Sequence, residues 1–167
     1  GDSLEEIAKN KLGIVKAGVP LITSDNPELR ELFQETCQKM QSPLVLVKAE
    51  DLKNVRVSLL KTVFDYKDFK DLKLSLLGRH QALNAALAFE VIRELRKTYP
   101  VSRENIYRGL AKTFWPGRLQ VLSRDPVILV DGAHNLGGMV SLAEFLHEVK
   151  GDNFLRVVFA VSHDKAK

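Results

Sequence analysis

The densest group of reactive side chains is Asp131-Gly132-Ala133-His134-Asn135, directly after an apolar run over residues 126–130. In open parallel sheets, ligands sit at the carboxyl ends of strands, where the turn into the next helix exposes its side chains. An aspartate there can accept ribose hydroxyls or orient a cation-bound water. The same residues also suit an Asx turn with Asn135 capping the following helix. A second group is Pro116-Gly117-Arg118, where an arginine beside a flexible joint can offer a bidentate fork to a phosphate or lie solvated on the surface. A third is Gly78-Arg79-His80-Gln81 with Asn84. His80, Gln81 and Asn84 fall in the first turns of a helix, whose positive end favours anions and polar ligands. Asn84 interrupts an alanine-rich stretch where alanine would suit the helix better; a ligand or a buried hydrogen bond would each account for it. The segment Lys9-Asn10-Lys11-Leu12-Gly13 reads as a basic helix end, favourable with the helix dipole.

These groups need a scaffold, and the hydrophobic pattern supplies one of alternating strands and helices. Ser3 and Glu6 form a capping box ahead of the stripe Leu4, Ile7, Ala8 and Leu12, which Gly13 ends. Residues 19–23 read as a short strand. Asn26-Pro27 then opens a helix carrying Leu29, Leu32, Phe33, Thr36, Cys37 and Met40 on one face. Cys37 is accordingly a small core residue. Leu44-Val45-Leu46-Val47 is an uninterrupted apolar strand, completing a βαβ unit. Between residues 55 and 77 the pattern alternates, with Val55, Val57, Leu59 and then Leu72, Leu74, Leu76 inward. This predicts antiparallel or edge strands around a charged turn at 65–71. The helix opened by Gly78 carries Leu83, Leu87, Val91 and Leu95 at intervals of four and closes at Tyr99-Pro100. A shorter helix follows, capped by Ser102. Residues 114–117 break the pattern. Two strands at 119–122 and 126–130, a helix at 138–149 with Val140, Ala143, Leu146 and Val149 inward, and a strand at 154–161 complete a second βαβ unit.

Composition narrows the function classes. The chain has 167 residues, 45% of them hydrophobic, so it can bury one good-sized core or two smaller ones. No apolar run approaches the ~20 residues of a membrane span, and the acidic start lacks the character of a secretory signal. A single cysteine excludes an internal disulfide and fits a reducing compartment. The net charge of +4 suits anionic small molecules, and basic-aromatic interleaving of the nucleic-acid type is missing. The chain contains no phosphate loop of the Gly-x-x-x-x-Gly-Lys-Ser/Thr kind, no zinc-protease motif and no nucleophile elbow.

Taken in order, four blocks resemble one family. They are Gly1-Asp2-Ser3-Leu4-Glu5-Glu6-Ile7-Ala8 continuing through Lys11, Gly13, Ile14 and Lys16; Gly78, His80, Gln81, Asn84 and Ala85; Trp115-Pro116-Gly117-Arg118; and Asp131 through Asn135. The chain resembles the folylpolyglutamate/dihydrofolate synthases, a branch of the Mur-type ATP-dependent amide ligases. The resemblance implies an α/β fold. Residues 1–113 would be the C-terminal part of a Mur-ligase-like central ATP-binding domain, 114–118 the hinge, and 119–167 the first half of a Rossmann-like C-terminal domain. It also implies a reaction: ATP phosphorylates a folate or dihydropteroate carboxylate, and the amine of L-glutamate attacks the acyl phosphate. By motif position, Lys11 matches a carbamoylated lysine that serves magnesium indirectly, Asn84 an adenine contact, Arg118 the hinge arginine on the ATP phosphates, and Asp131 a nucleotide-binding aspartate. His80, Gln81, His134 and Asn135 lie beside these. His163-Asp164-Lys165 resembles a further loop of the family. Asn10 departs from the family's usual glutamate, and the family's phosphate loop and metal ligands would precede Gly1, so the chain is expected to be an internal, catalytically inactive piece. Cytoplasmic location, ATP and Mg2+ as cofactors, and a monomeric full enzyme without nucleic-acid or membrane partners follow from the same resemblance. The competing expectations are a non-enzymatic nucleotide-binding or assembly module, and a Mur-type ligase for another acid.

Overall fold

A computed structural model describes residues 3–160. They fall into two compact units, one built from the chain up to residue 51 together with 86–100, the other from 52–85 and the chain from 101 onward.

The first unit begins with α1 (Leu4–Leu12). The Ser3 hydroxyl accepts the Glu6 N–H at 3.2 Å, satisfying one of the helix's orphan donors. Ala8 and Leu12 are buried, whereas Leu4 and Ile7 stay about half exposed, so the inward stripe is narrower than the spacing predicts. β1 (Leu21–Ser24) and β2 (Leu44–Val47) pair in parallel with Leu21 opposite Leu44. Between them lies α2 (Arg30–Lys39). It starts later than the Asn26-Pro27 signal predicts. Asn26 accepts the Glu28 N–H at 3.0 Å in an Asx turn, and one further turn passes before Arg30. The Asp25 carboxylate grips the Arg30 guanidinium through Nε and Nη2. Its face holds as read: Leu29, Phe33 and Cys37 are buried, with Leu32, Thr36 and Met40 half-buried beside them. Ala8, Leu12, Leu29 and Phe33 share one core cluster.

The second unit opens with an antiparallel meander, β3 (Leu52–Val57), β4 (Thr62–Tyr66) and β5 (Phe69–Leu74). The expected charged turn at 65–71 is a correction. Asp65 and Tyr66 belong to β4, Phe69 opens β5, and only Lys67-Asp68 turns. β4 is buried throughout, and the one charge in it is met by hydrogen-bond donors. Asp65 accepts the Asp71 N–H and the Asn54 side-chain amide, each at 2.8 Å. Those two bonds, the backbone one first, hold its carboxyl below the usual range. α4 (Arg103–Lys112) is capped by Ser102, whose hydroxyl accepts the Asn105 N–H at 3.1 Å. It clamps β5: Tyr107 donates to the Lys70 carbonyl at 2.8 Å, and the Arg103 guanidinium lies 3.9 Å from the centre of the Phe69 ring.

β6 (Gln120–Arg124) and β7 (Val127–Val130) form an antiparallel hairpin, followed by α5 (Leu136–Val149). Leu77, Leu119 and Phe145 are the buried centre of this part, surrounded by Val57, Leu59, Val121, Leu129, Leu142 and Leu146. Two helix faces differ from the spacing-based reading. On α3 (Arg79–Leu95) the buried apolar side chains are Ala82, Ala85, Ala86 and Phe89, while Val91 and Leu95 are exposed. Intervals of four drift round a 3.6-residue helix, so a stripe at that spacing leaves the buried face. On α5, Phe145 is buried and Leu142, Leu146 and Val149 lie against it, whereas Val140 and Ala143 face outward, a rotation of the same kind. The expected strand at 154–161 is not formed over its described residues 154–160. β7 pairs with β6, no other described strand offers that segment a ladder, and Phe154 and Val158 are 88% and 95% exposed. The second βαβ unit is therefore incomplete among the described residues. His163-Asp164-Lys165 lies outside them.

Candidate functional site

The second unit contains a cavity of about 400 Å³, within the size range of small-molecule sites. Three backbone elements wall it. The first turns of α3 contribute His80, Gln81 and Asn84; the start of α5 contributes Gly137, Gly138, Ser141 and Leu142; the segment between α4 and β6 contributes Trp115, Arg118 and Leu119. Asp131 and Ala133, after β7, complete it. The positive ends of two long helices thus line one hollow, with a guanidinium beside them, an arrangement suited to an anion.

Local sequence explains how the walls can close in. Gly78 has φ +100°, and a Cβ there would lie 2.7 Å from the His80 ring. Only glycine lets the chain enter α3 with the imidazole folded back. A Cβ on Gly138 would meet Ala133 at 3.3 Å, so glycine allows α5 to start tight against the preceding loop.

The polar groups interlock. The Asn84 side-chain amide donates to Gln81 Oε1 at 3.2 Å, and Gln81 Nε2 lies 3.2 Å from His80 Nε2. Gln81 is buried, while Asn84 is exposed to the cavity. Burial pushes the His80 pKa down and the nearby Arg118 charge adds to this, against opposing pulls from Asp131 and Glu144. The imidazole is therefore neutral at pH 7. Asp131 accepts the Leu119 N–H on Oδ2 and the Ala133 N–H on Oδ1, both at 2.8 Å. Arg118 is exposed, and its guanidinium has no hydrogen-bond or ion-pair partner among the described residues.

Of the residues singled out by sequence, His80, Gln81, Asn84, Arg118 and Asp131 come together around this cavity. His134 and Asn135 do not line it. His134 is exposed with Nδ1 2.8 Å from the Gly132 carbonyl, and Asn135 caps α5 by accepting the Gly138 N–H at 2.8 Å. Lys11 is an exposed residue of α1 in the first unit and does not line the cavity either. Among the described residues no group of three or more His, Cys, Asp or Glu side chains could hold a metal ion. Three residues with a place at the site were not singled out from sequence as site residues. Trp115 lines the cavity while 63% exposed, a large apolar ring left in water at a polar hollow. Ser141 lies one turn into α5. Gln120 accepts the Gly117 N–H at 2.9 Å. Only Trp115 carried a signal, an indole beside the Pro-Gly-Arg joint.

No protein-family model matches the chain. Among curated proteins it is 33% identical to the dihydrofolate synthase/folylpolyglutamate synthase of Bacillus subtilis, a match covering 99% of this chain and 40% of that protein. It is 30% identical to the dihydrofolate synthetase of Saccharomyces cerevisiae, covering 99% of this chain and again 40% of the other. The chain therefore spans well under half the length of these relatives. Among solved structures, the folylpolyglutamate synthase of Thermotoga maritima superposes with a TM-score of 0.74 at 31% identity, over 88% of this chain and 36% of that one. A folylpolyglutamate synthase complex with AMPPCP and folate superposes with a TM-score of 0.79 at 28% identity, over 89% of this chain and 38% of that one. Sequence along nearly the whole chain and fold along most of it make this mixed α/β protein a relative of the folylpolyglutamate and dihydrofolate synthases of the Mur-ligase family.

Proposed function

We propose that the protein joins L-glutamate to the carboxylate of a folate or dihydropteroate, with ATP as the energy source and an acyl phosphate as the intermediate. The observation that carries this reading is the cavity in which two helix N-termini, Arg118 and Asn84 converge, in a chain related to ligases one of which binds AMPPCP and folate.

In this reading the carboxylate attacks the γ-phosphorus of ATP and ADP departs. The glutamate amine then attacks the acyl carbon, phosphate leaves, and an amide remains. The chemistry asks mostly for charge stabilisation on the transferring phosphoryl group. Arg118, whose guanidinium has no partner among the described residues, supplies a fork to phosphate oxygens at the cavity. Asn84 and its neighbours Gln81 and His80 form the polar wall that reads the base, and Trp115 offers the ring an apolar face. Asp131 closes the nucleotide cavity beside Arg118, with His134 and Asn135 in the loop that follows it. Residues 1–113, 114–118 and 119–167 correspond to the end of the central ATP-binding domain, the hinge and the start of the C-terminal domain.

The described residues do not themselves assemble a magnesium site, so no step is assigned to the metal. Carbamoylated Lys11 would offer a carboxylate-like oxygen of the kind a hard cation prefers; intact-protein mass measured under bicarbonate would reveal the adduct, and its absence would remove Lys11 from the site. The protein acts as a cytoplasmic monomer. No described helix is long and apolar enough to cross a membrane.

The test is direct. The full-length protein to which this chain belongs is incubated with ATP, magnesium, L-glutamate and either dihydropteroate or a reduced folate, and products are weighed by mass spectrometry; the isolated chain is expected to form no product. Gain of one glutamyl unit with stoichiometric ADP is expected from the full-length protein. Nucleotide binding without any glutamyl product would favour a non-enzymatic module, and glutamylation of a different acid would move the protein to another branch of the ligases.

A further inference from the structure

Arg118 stands between two residues with left-handed backbone. Gly117 has φ +70°, which glycine adopts freely, but Leu119 has φ +44°, which a leucine adopts only where its surroundings hold it. Two things hold it. Its side chain is 2% exposed in the core with Leu77 and Phe145, and its N–H is taken by Asp131 Oδ2 at 2.8 Å. The other oxygen of the same carboxylate takes the Ala133 N–H at 2.8 Å, so one side chain ties two loops together. A backbone bond runs parallel to this tie, from the Gly132 N–H to the Gly117 carbonyl at 2.8 Å. On the far side the Gln120 amide oxygen holds the Gly117 N–H at 2.9 Å. The backbone of Arg118 is thus braced on both flanks, while its guanidinium has no partner among the described residues.

We propose that Asp131 is a positioning residue for Arg118. Its carboxylate locks the left-handed Leu119 and with it the 117–119 backbone that presents the guanidinium to the cavity, so its main effect falls on the phosphate end of the ligand. This deepens the nucleotide reading and rests on it, and it differs from a direct contact between Asp131 and ribose hydroxyls.

The decisive variant is Asp131→Asn, which keeps the shape but leaves only one acceptor atom for two backbone N–H groups. Two measurements separate the possibilities. The first is amide hydrogen exchange at Leu119 and Ala133 without ligand. The second is the affinity of the wild type, D131N, R118A and the double variant for AMPPCP and for adenosine, which lacks phosphates. A charged hydrogen bond of this kind sets the scale at about tenfold or more. Expected are exchange at Leu119 or Ala133 faster by about that factor, AMPPCP binding weaker by about that factor, adenosine binding unchanged, and a double variant no weaker than R118A. Equal losses for adenosine and AMPPCP, or additive losses in the double variant, would overturn the positioning role in favour of direct contact. Unchanged exchange at both amides would overturn it as well. A wild-type protein that binds neither ligand overturns the nucleotide reading and this inference together. If D131N does not fold, Asp131→Ser repeats the comparison, since its hydroxyl reaches the Ala133 N–H in a local turn but not Leu119.

Discussion

Arg118 and His80 approach the cavity with opposite electrostatic consequences. Among the described residues Arg118 is the one lysine or arginine that lines it, and none of them takes up its donors. Removing it leaves a bound phosphate without its fork, a loss of about 1.5–3 kcal/mol for hydrogen bonds to a charged group. Arg118→Ala is therefore expected to weaken AMPPCP binding by about ten- to a hundredfold, measured by calorimetry, with little effect on adenosine. His80 is held neutral by burial first and by the Arg118 charge second. A histidine whose pKa is lowered on folding binds fewer protons in the native state than unfolded. Its contribution to stability is present above the unfolded value near 6.5 and is lost as pH falls below it. Denaturant midpoints taken between pH 7.5 and 5.5 should fall with acidification in the wild type. In His80→Gln the fall should be shallower, and an identical slope in both would contradict the assignment.

At the scale of elements, what the sequence made legible follows from how many physical signals agree at a position. α1 and α4 each carry a serine cap whose hydroxyl accepts the expected N–H, at 3.2 and 3.1 Å, and α2 carries its inward face where the spacing places it. The five clustering site residues were legible because side-chain type and helix position pointed the same way: His80, Gln81 and Asn84 at a helix start, Arg118 and Asp131 in breaks between elements. Where signals conflicted, the reading failed for identifiable reasons. Asp65 looks like turn chemistry, yet inside β4 its charge is met by the Asp71 N–H and the Asn54 amide, partners six and eleven residues away that no local pattern reveals. The bulky side chains of α3 and α5 marked only part of each inward face: Leu83 and Leu87 are half-buried and Leu146 and Val149 lie inward, whereas Val91, Leu95, Val140 and Ala143 face outward. Alanines and Phe89 are the buried apolar side chains of α3, and on α5 the phase is set by Phe145, buried in one cluster with Leu77 and Leu119. Asn135 could be read as ligand or cap, and its geometry is that of a cap. The α5 phase makes a prediction of its own. Phe145 is 2% exposed, and Phe145→Ala should cost about 3–5 kcal/mol of unfolding free energy. Val140→Ala, on the outward side at 48% exposure, should stay within about 1 kcal/mol. Chemical denaturation of the two variants compares them directly, and equal costs would mean that the face is assigned wrongly.

At the scale of the whole molecule, the two compact units differ in what a ligand can do for them. Every residue lining the cavity belongs to the second unit, from Leu76 to Asn84 and from Trp115 to Leu142. A ligand that binds only the folded site lowers the population of every opening that destroys the site, by RT ln(1 + [L]/Kd), about 2.7 kcal/mol at a hundredfold excess over Kd. It does nothing for openings that leave the site intact. Saturating AMPPCP should therefore slow amide exchange in β6, β7, the start of α3 and α5. In α1, β1, α2 and β2, whose core is the separate cluster around Leu12 and Phe33, protection should change far less. Exchange measured by mass spectrometry with and without AMPPCP reads both regions in one experiment. Equal protection of both would show that the units open as one cooperative body, and protection confined to α1 through β2 would move the nucleotide to the first unit.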